Sequence, residues 1–172
     1  MSDLLRQRFG PEVQAAFARY PAGREKSAAL PLLYLAQAAY GYLSTEAIEE
    51  VARLIGVDST HVRGLAGFYS LFLEQPHGGY VVQYCNDLPC ALRGAEKFGD
   101  ALCAKLGVKW HGTTADGEFT LEPVMCLAAC DKAPMFQIQD ADGLHYHESE
   151  SAEKPMTVEQ ALAVLESYKS KK

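Results

Sequence analysis

Two pairs of cysteines, each placed directly after a strand-like run, most constrain what this chain can fold into. Cys85 and Cys90 are separated by four residues and Cys126 and Cys130 by three. The runs before them, Tyr80 to Tyr84 and Phe119 to Val124, carry the β-branched and aromatic side chains of short strands. Between them Ala91, Ala95, Phe98, Leu102 and Leu106 recur at helical spacing, closed by Gly107, and predict one helix after Pro89. A strand, a crossover helix and a second strand favour parallel pairing. Parallel neighbours end on the same side of a sheet, so both loops would present their thiols at one place.

The rest of the chain frames that unit. Met135 to Gln139 and Leu144 to His147 flank Asp140-Ala141-Asp142-Gly143, whose Asp-Gly step favours a tight hairpin. Thr157 and Gln160 stand at capping-box spacing before a last helix through Val158, Leu162, Leu165 and Tyr168, with Lys169 to Lys172 a frayed tail. Strand, helix, strand, hairpin and helix make a thioredoxin-like arrangement. Upstream, four segments show apolar faces at three-to-four spacing: Pro11 to Tyr20, Ala28 to Tyr40 with Gly41 as cap, a helix after Ser44 stopping at Gly56, and a helix after Asp58 carrying Val62, Leu65, Tyr69 and Phe72. The expected class is therefore α+β, with a helical bundle over residues 1–76 and a thioredoxin-like α/β domain over 77–172.

Composition narrows the chemistry. The formal charge of −6 disfavours nucleic acid and anionic lipid, and no stretch reaches the roughly 20 apolar residues of a membrane span. Met1 to Phe9 has no apolar signal region, so a soluble cytoplasmic protein without membrane insertion is expected. In that compartment five cysteines point to metal or redox chemistry rather than to disulfides. Ile48 to Leu65 reads like a helix-turn-helix, but only His61 and Arg63 could reach DNA, and two packed helices are the expectation.

A [2Fe-2S] rhomb takes two thiolates per iron, which gives one loop to each iron. Zinc can also take four cysteines, usually from tight knuckles with two intervening residues. The wider loops here favour iron-sulfur, and a zinc-stapled interaction module stands as the alternative. Arg93 occupies the place of the third cysteine of the plant-type pattern, neither loop holds a Rieske histidine, and no C-x-x-C dithiol is present. No G-x-G-x-x-G follows a strand and there is no P-loop, so NADH and flavin must bind elsewhere, and no catalytic residue is assigned. Cys103 reads as a buried free thiol, His145 and His147 as an incidental strand-face pair, and Trp110 as core or contact.

The run Tyr84-Cys85-Asn86-Asp87-Leu88-Pro89-Cys90-Ala91-Leu92-Arg93-Gly94-Ala95, the run Met125-Cys126-Leu127-Ala128-Ala129-Cys130-Asp131-Lys132-Ala133-Pro134, and the upstream Gly41-Tyr42-Leu43-Ser44 and Gly67-Phe68-Tyr69 resemble the E-type subunit of bacterial NADH:quinone oxidoreductase, respiratory complex I. The likeness runs in order along almost the whole chain. It implies a helical region followed by a thioredoxin-like [2Fe-2S] ferredoxin domain, with Cys85, Cys90, Cys126 and Cys130 as ligands. It also implies a place beside the flavin- and NADH-binding subunit, which holds FMN, among the other peripheral-arm subunits. The diaphorase subunit of a soluble NAD-linked hydrogenase or formate dehydrogenase is the alternative assembly. Members often carry threonine where this chain has Asp87 and Leu88, and glycine where it has Ala128 or Ala129. Asp87 and Asp131 are expected to hold the potential of such a cluster low, and Leu88, Met125 and Leu127 to shield it from water.

Overall fold

A computed structural model describes residues 3–169 of the chain. The chain divides into two compact units between Pro76 and His77.

The first unit consists of helices α1 (Leu4–Ala18), α2 (Ala29–Tyr40), α3 (Thr45–Ile55) and α4 (Ser59–Phe68). Leu32, Leu33, Ile48, Val51 and Val62 are among its buried centre. Helix α1 begins before the predicted Pro11, because the break falls at Phe9 (φ −131°, ψ 33°). Pro11 then stands in the first turn of the resumed helix, where its missing N–H interrupts no bond. The other punctuation holds as read. Gly41 is left-handed at φ 83°, Ser44 Oγ accepts from Ala47 N at 3.2 Å, and Asp58 Oδ1 accepts from Thr60 N at 2.8 Å.

Helix α4 stops at Phe68, short of the expected Phe72. Tyr69 is already extended (φ −99°, ψ 118°). The reason is Gln37 on α2, whose amide serves the departing chain as a strand would: its Nε2 donates to Leu71 O at 3.1 Å and its Oε1 accepts from Leu73 N at 2.7 Å. Phe72 is still buried, with its ring 4.8 Å from that of Tyr34.

The second unit is a four-stranded sheet in the order β2-β1-β3-β4, formed by β1 (Tyr80–Cys85), β2 (Phe119–Val124), β3 (Met135–Gln139) and β4 (Leu144–Glu148). Strands β1 and β2 are parallel, and the β1–β3 and β3–β4 pairs are antiparallel. Pro123 is tolerated because β2 is an edge strand. The crossover is two helices rather than the single one expected, α5 (Leu88–Leu92) and α6 (Ala95–Leu106). Gly94, left-handed at φ 85°, turns the chain between them.

In the hairpin Asp140 Oδ1 accepts from Asp142 N at 2.9 Å and from Gly143 N at 3.0 Å. Helix α7 (Val158–Lys169) opens on the expected reciprocal cap, Thr157 N to Gln160 Oε1 at 2.8 Å and Gln160 N to Thr157 Oγ1 at 3.2 Å. Lys169 is not frayed: it ends α7, with Nζ 2.7 Å from Asp116 Oδ2, while the rest of the expected tail, residues 170–172, lies outside the described residues. His145 pairs with Asp140 and His147 hydrogen-bonds with the Tyr168 hydroxyl, so both histidines have structural partners.

Candidate metal centre

The parallel register runs from Tyr80↔Phe119 to Cys85↔Val124, and Asn86 N continues it by donating to Val124 O at 3.1 Å. Cys85 therefore ends β1 beside the last residue of β2, and Cys126 follows just beyond. Pro89 in the first turn of α5 preorganises the short helix that carries Cys90. Cys130 lies in a 3-10 turn, Cys130–Lys132, ahead of the cis Ala133–Pro134 peptide and β3.

All of the thiols are free. Cys126 Sγ and Cys130 Sγ are 3.6 Å apart, far beyond the roughly 2.05 Å of a disulfide bond. Two thiolates on one tetrahedral metal at about 2.3 Å stand about 3.8 Å apart, so this pair is spaced as ligands of one ion would be. Cys85 and Cys90 form the second hydrogen-bonded pair. Burial, then this bond and the charges of Cys85, Cys130 and Cys126 push the Cys90 thiol up to about 12. The Cys130 thiol is raised by its bond with Cys126, then by burial and by the charges of Cys126, Cys85 and Asp87. Each pair thus feels the other across the gap between the loops. Like charges crowded in this way are relieved by a cationic centre, which deprotonates coordinating thiols outright.

The thiols stand as two pairs on two loops. That donor set fits a diiron rhomb, with two thiolates for each iron, better than one zinc ion that must collect all four.

The surroundings are asymmetric. Cys85 and Cys90 are buried and Cys126 is exposed. Leu88, Leu92 and Met125 are 69%, 80% and 72% exposed, so Leu88 and Met125 do not shield the thiols as expected, whereas Leu127 is half-buried. The charge of Asp87 bears on Cys130, and that of Asp131 on the neighbouring Lys132. Cys103 lies on α6 as a buried thiol, raised to about 11 by burial and Asp100.

Two features went unread in the sequence. Behind Cys85, the Tyr84 ring stacks on Trp110 at 4.8 Å and 16°, directly over Gly99 of α6. In the second loop Ala128 is left-handed, with φ 63°. The family resemblance leaves open whether Ala128 or Ala129 takes the place of a glycine, the residue that adopts such a φ freely. A left-handed alanine costs roughly 1–2 kcal/mol, of which the extra flexibility of glycine offsets about half. Ala128→Gly is therefore expected to stabilise the second unit by about 0.5–1 kcal/mol, read as a higher urea midpoint at unchanged slope.

Comparison with known proteins gives a consistent result. A protein 43% identical over 129 residues, covering 75% of this chain and 76% of its own length, is an E-type subunit of the NADH-quinone oxidoreductase of Rhizobium meliloti (strain 1021). Subunit 2 of the Thermus thermophilus NADH-quinone oxidoreductase is 41% identical over 128 residues, 74% of this chain and 71% of that protein. The E-type subunit of the Escherichia coli (strain K12) NADH-quinone oxidoreductase is 34% identical, over 84% of this chain and 81% of its own. Among solved structures, an NAD+-reducing [NiFe]-hydrogenase in the H2-reduced state shares the fold, with a TM-score of 0.59 and 19% identity over 81% of this chain and 22% of that longer chain. The model of one family, described as thioredoxin-like [2Fe-2S] ferredoxin, matches residues 13–169, a span that takes in both cysteine loops and most of the helices ahead of them. The chain belongs to the thioredoxin-like [2Fe-2S] ferredoxin family.

Proposed function

We propose that Cys85, Cys90, Cys126 and Cys130 hold one [2Fe-2S] cluster, and that the chain is a one-electron carrier subunit of an NADH:quinone oxidoreductase. The observation that carries this reading is the parallel β1–β2 register, which brings two thiol pairs to one end of the sheet. The relatives named as subunits of that oxidoreductase support the assembly. When bound, such a cluster takes up and returns one electron at a time. The protein's own part is to fix the thiols, to set the charge around them and to leave one side open. Asp87 adds negative charge beside Cys130, and the Ala128 N–H, 3.3 Å from Cys126 Sγ, opposes it.

The partner is the subunit that binds FMN and NADH, and the remaining contacts are with other peripheral-arm subunits. The chain has no dinucleotide or phosphate loop of its own. Leu88, Leu92 and Met125, each exposed within a few residues of a thiol in the chain, offer apolar surface to the partner. The two compact units support a helical module over residues 1–76 and a cluster-holding domain over 77–172. No helix among the described residues is long and apolar enough to cross a membrane; the oxidoreductase subunits that the chain resembles support a cytoplasmic place at the periphery of the complex. The hydrogenase diaphorase reading rests on likeness of fold alone and is the weaker one.

The test is anaerobic purification followed by visible absorbance and iron and sulfide analysis. Two irons and two sulfides per chain are expected, with an electron paramagnetic resonance signal after reduction. Cys126→Ser is expected to lose or visibly alter the cluster. Colourless protein carrying one zinc would overturn the assignment.

A further inference from the structure

Of the five cysteines, two are open to an attacking reagent, and they stand together. Cys126 is exposed and Cys130 half-buried, with their Sγ atoms 3.6 Å apart. Cys85, Cys90 and Cys103 are buried, the first two with 1% of their surface exposed. Three residues separate Cys126 from Cys130, and Ala128 midway between them is left-handed at φ 63°, which turns the chain that leads to Cys130. A disulfide bond of roughly 2.05 Å asks the two sulfurs to approach by about 1.5 Å, a movement within reach of two side-chain rotations.

We infer that Cys126 and Cys130 form a reversible thiol–disulfide switch in the chain before it takes up its cluster, closed by small disulfides of the glutathione type, and that closure bars the cluster. The bar on the cluster rests on the ligand assignment proposed above; the disulfide itself rests on the thiol geometry alone. In the first step the Cys126 sulfur, its proton released to solvent, attacks one sulfur of the small disulfide, whose S–S bond breaks as one small thiol leaves. The Cys130 sulfur, deprotonated in the same way, then attacks Cys126 Sγ, and the second small thiol leaves. Two protein thiols and one small disulfide thus become one protein disulfide and two small thiols, with two electrons passed to the small molecule. Access governs such exchange, which selects Cys126 for the first attack and spares the buried pair. The closed form removes two of the four thiolates that the diiron rhomb needs. It also protects the exposed sulfur from irreversible oxidation to the sulfinic level.

The experiment uses the full chain, produced under iron limitation, reduced, and incubated anaerobically with oxidised glutathione. Trypsin places Cys126 and Cys130 together on residues 110–132, Cys85 and Cys90 on 64–93, and Cys103 on 98–105. Peptide 110–132 is expected to become lighter by two hydrogens, about tenfold or more faster than either other peptide changes, and dithiothreitol is expected to reverse it. Cys130→Ser, which cannot complete the second step, is expected to hold glutathione on Cys126. On reconstitution the closed chain is expected to take up less than about a tenth of the iron that the reduced chain takes up, with full recovery after dithiothreitol. A disulfide at Cys85 and Cys90, or glutathione spread over all three peptides, overturns the switch, as does full iron uptake by the closed chain. A reduced chain that fails to bind two irons overturns the ligand assignment and with it the bar on the cluster, while peptide 110–132 still decides the disulfide itself.

Discussion

Glu50→Ala is expected to destabilise the helical unit by about 3 kcal/mol, the larger of two mutational effects that the packing dictates. Glu50 lies on α3 with 1% of its surface exposed. Its two carboxyl oxygens lie 3.0 and 3.2 Å from Leu5 N, which they accept at the first turn of α1, and Oε2 also accepts from the Tyr40 hydroxyl at 2.5 Å. One side chain thus ties the start of α1 and the end of α2 to α3. It serves an N–H that has no partner within its own helix. Alanine removes the acceptor, leaves the buried Leu5 N–H without it and opens a space between three helices. Glu50→Gln keeps one acceptor oxygen and is expected to lose only about 1 kcal/mol. Denaturant unfolding followed by circular dichroism measures both. Amide exchange at Leu5 adds a local readout, expected to accelerate strongly in Glu50→Ala. A loss indistinguishable from zero would show that the carboxyl does not hold α1 in place.

The second expected result is a cost of about 2 kcal/mol for Gly99→Ala, against the intrinsic preference of helices for alanine. A Cβ at Gly99 would fall 2.6 Å from Tyr84 Cζ and 2.7 Å from Trp110 Cη2. Carbon atoms at rest need roughly 3.5–4.0 Å, so the stacked rings must shift by about 1 Å. The rings have little freedom to do so. Tyr84 is buried in the core of the sheet, and the Trp110 indole N–H is held by Asp100 at 3.1 Å. Burial, with the charges of Asp100 and Glu96 next, already raises the Tyr84 phenol to about 12. Gly64 of α4 is the control: a Cβ there meets nothing within 4 Å, so Gly64→Ala is expected to stabilise by about 1 kcal/mol. Trp110 is the only tryptophan, so its fluorescence reports the displacement directly. Because Tyr84 immediately precedes Cys85, iron content is expected to fall as well. Unchanged fluorescence with a gain in stability would mean that the rings do not crowd Gly99.

Most elements were legible because their signals are local. Ser44, Asp58, Gly41, Gly56 and the Thr157–Gln160 pair each announce a helix end through the hydrogen bonds or the φ that the residue itself supports. The strand leading into each thiol pair was readable from β-branched and aromatic side chains, and its parallel partner from the helical spacing between them. The misreadings share one cause. Gln37 ends α4 early from a distance of 34 and 36 residues, and Gly94 divides the crossover in a stretch whose apolar spacing continues across the break. Leu88 and Met125 read as apolar cover, yet both side chains are exposed.

The candidate site divides in the same way. Residue types and their order along the chain specified four thiols, two loops and two strands that run side by side, because spacing and strand propensity are properties of short segments. Only the tertiary structure decided that Cys85 and Cys90 are buried while Cys126 is open, that the charge of Asp87 reaches Cys130, and that Ala128 turns left-handed between Cys126 and Cys130. Those facts depend on which surfaces exclude water and where backbone dipoles point, and both are set by contacts between segments far apart in the chain.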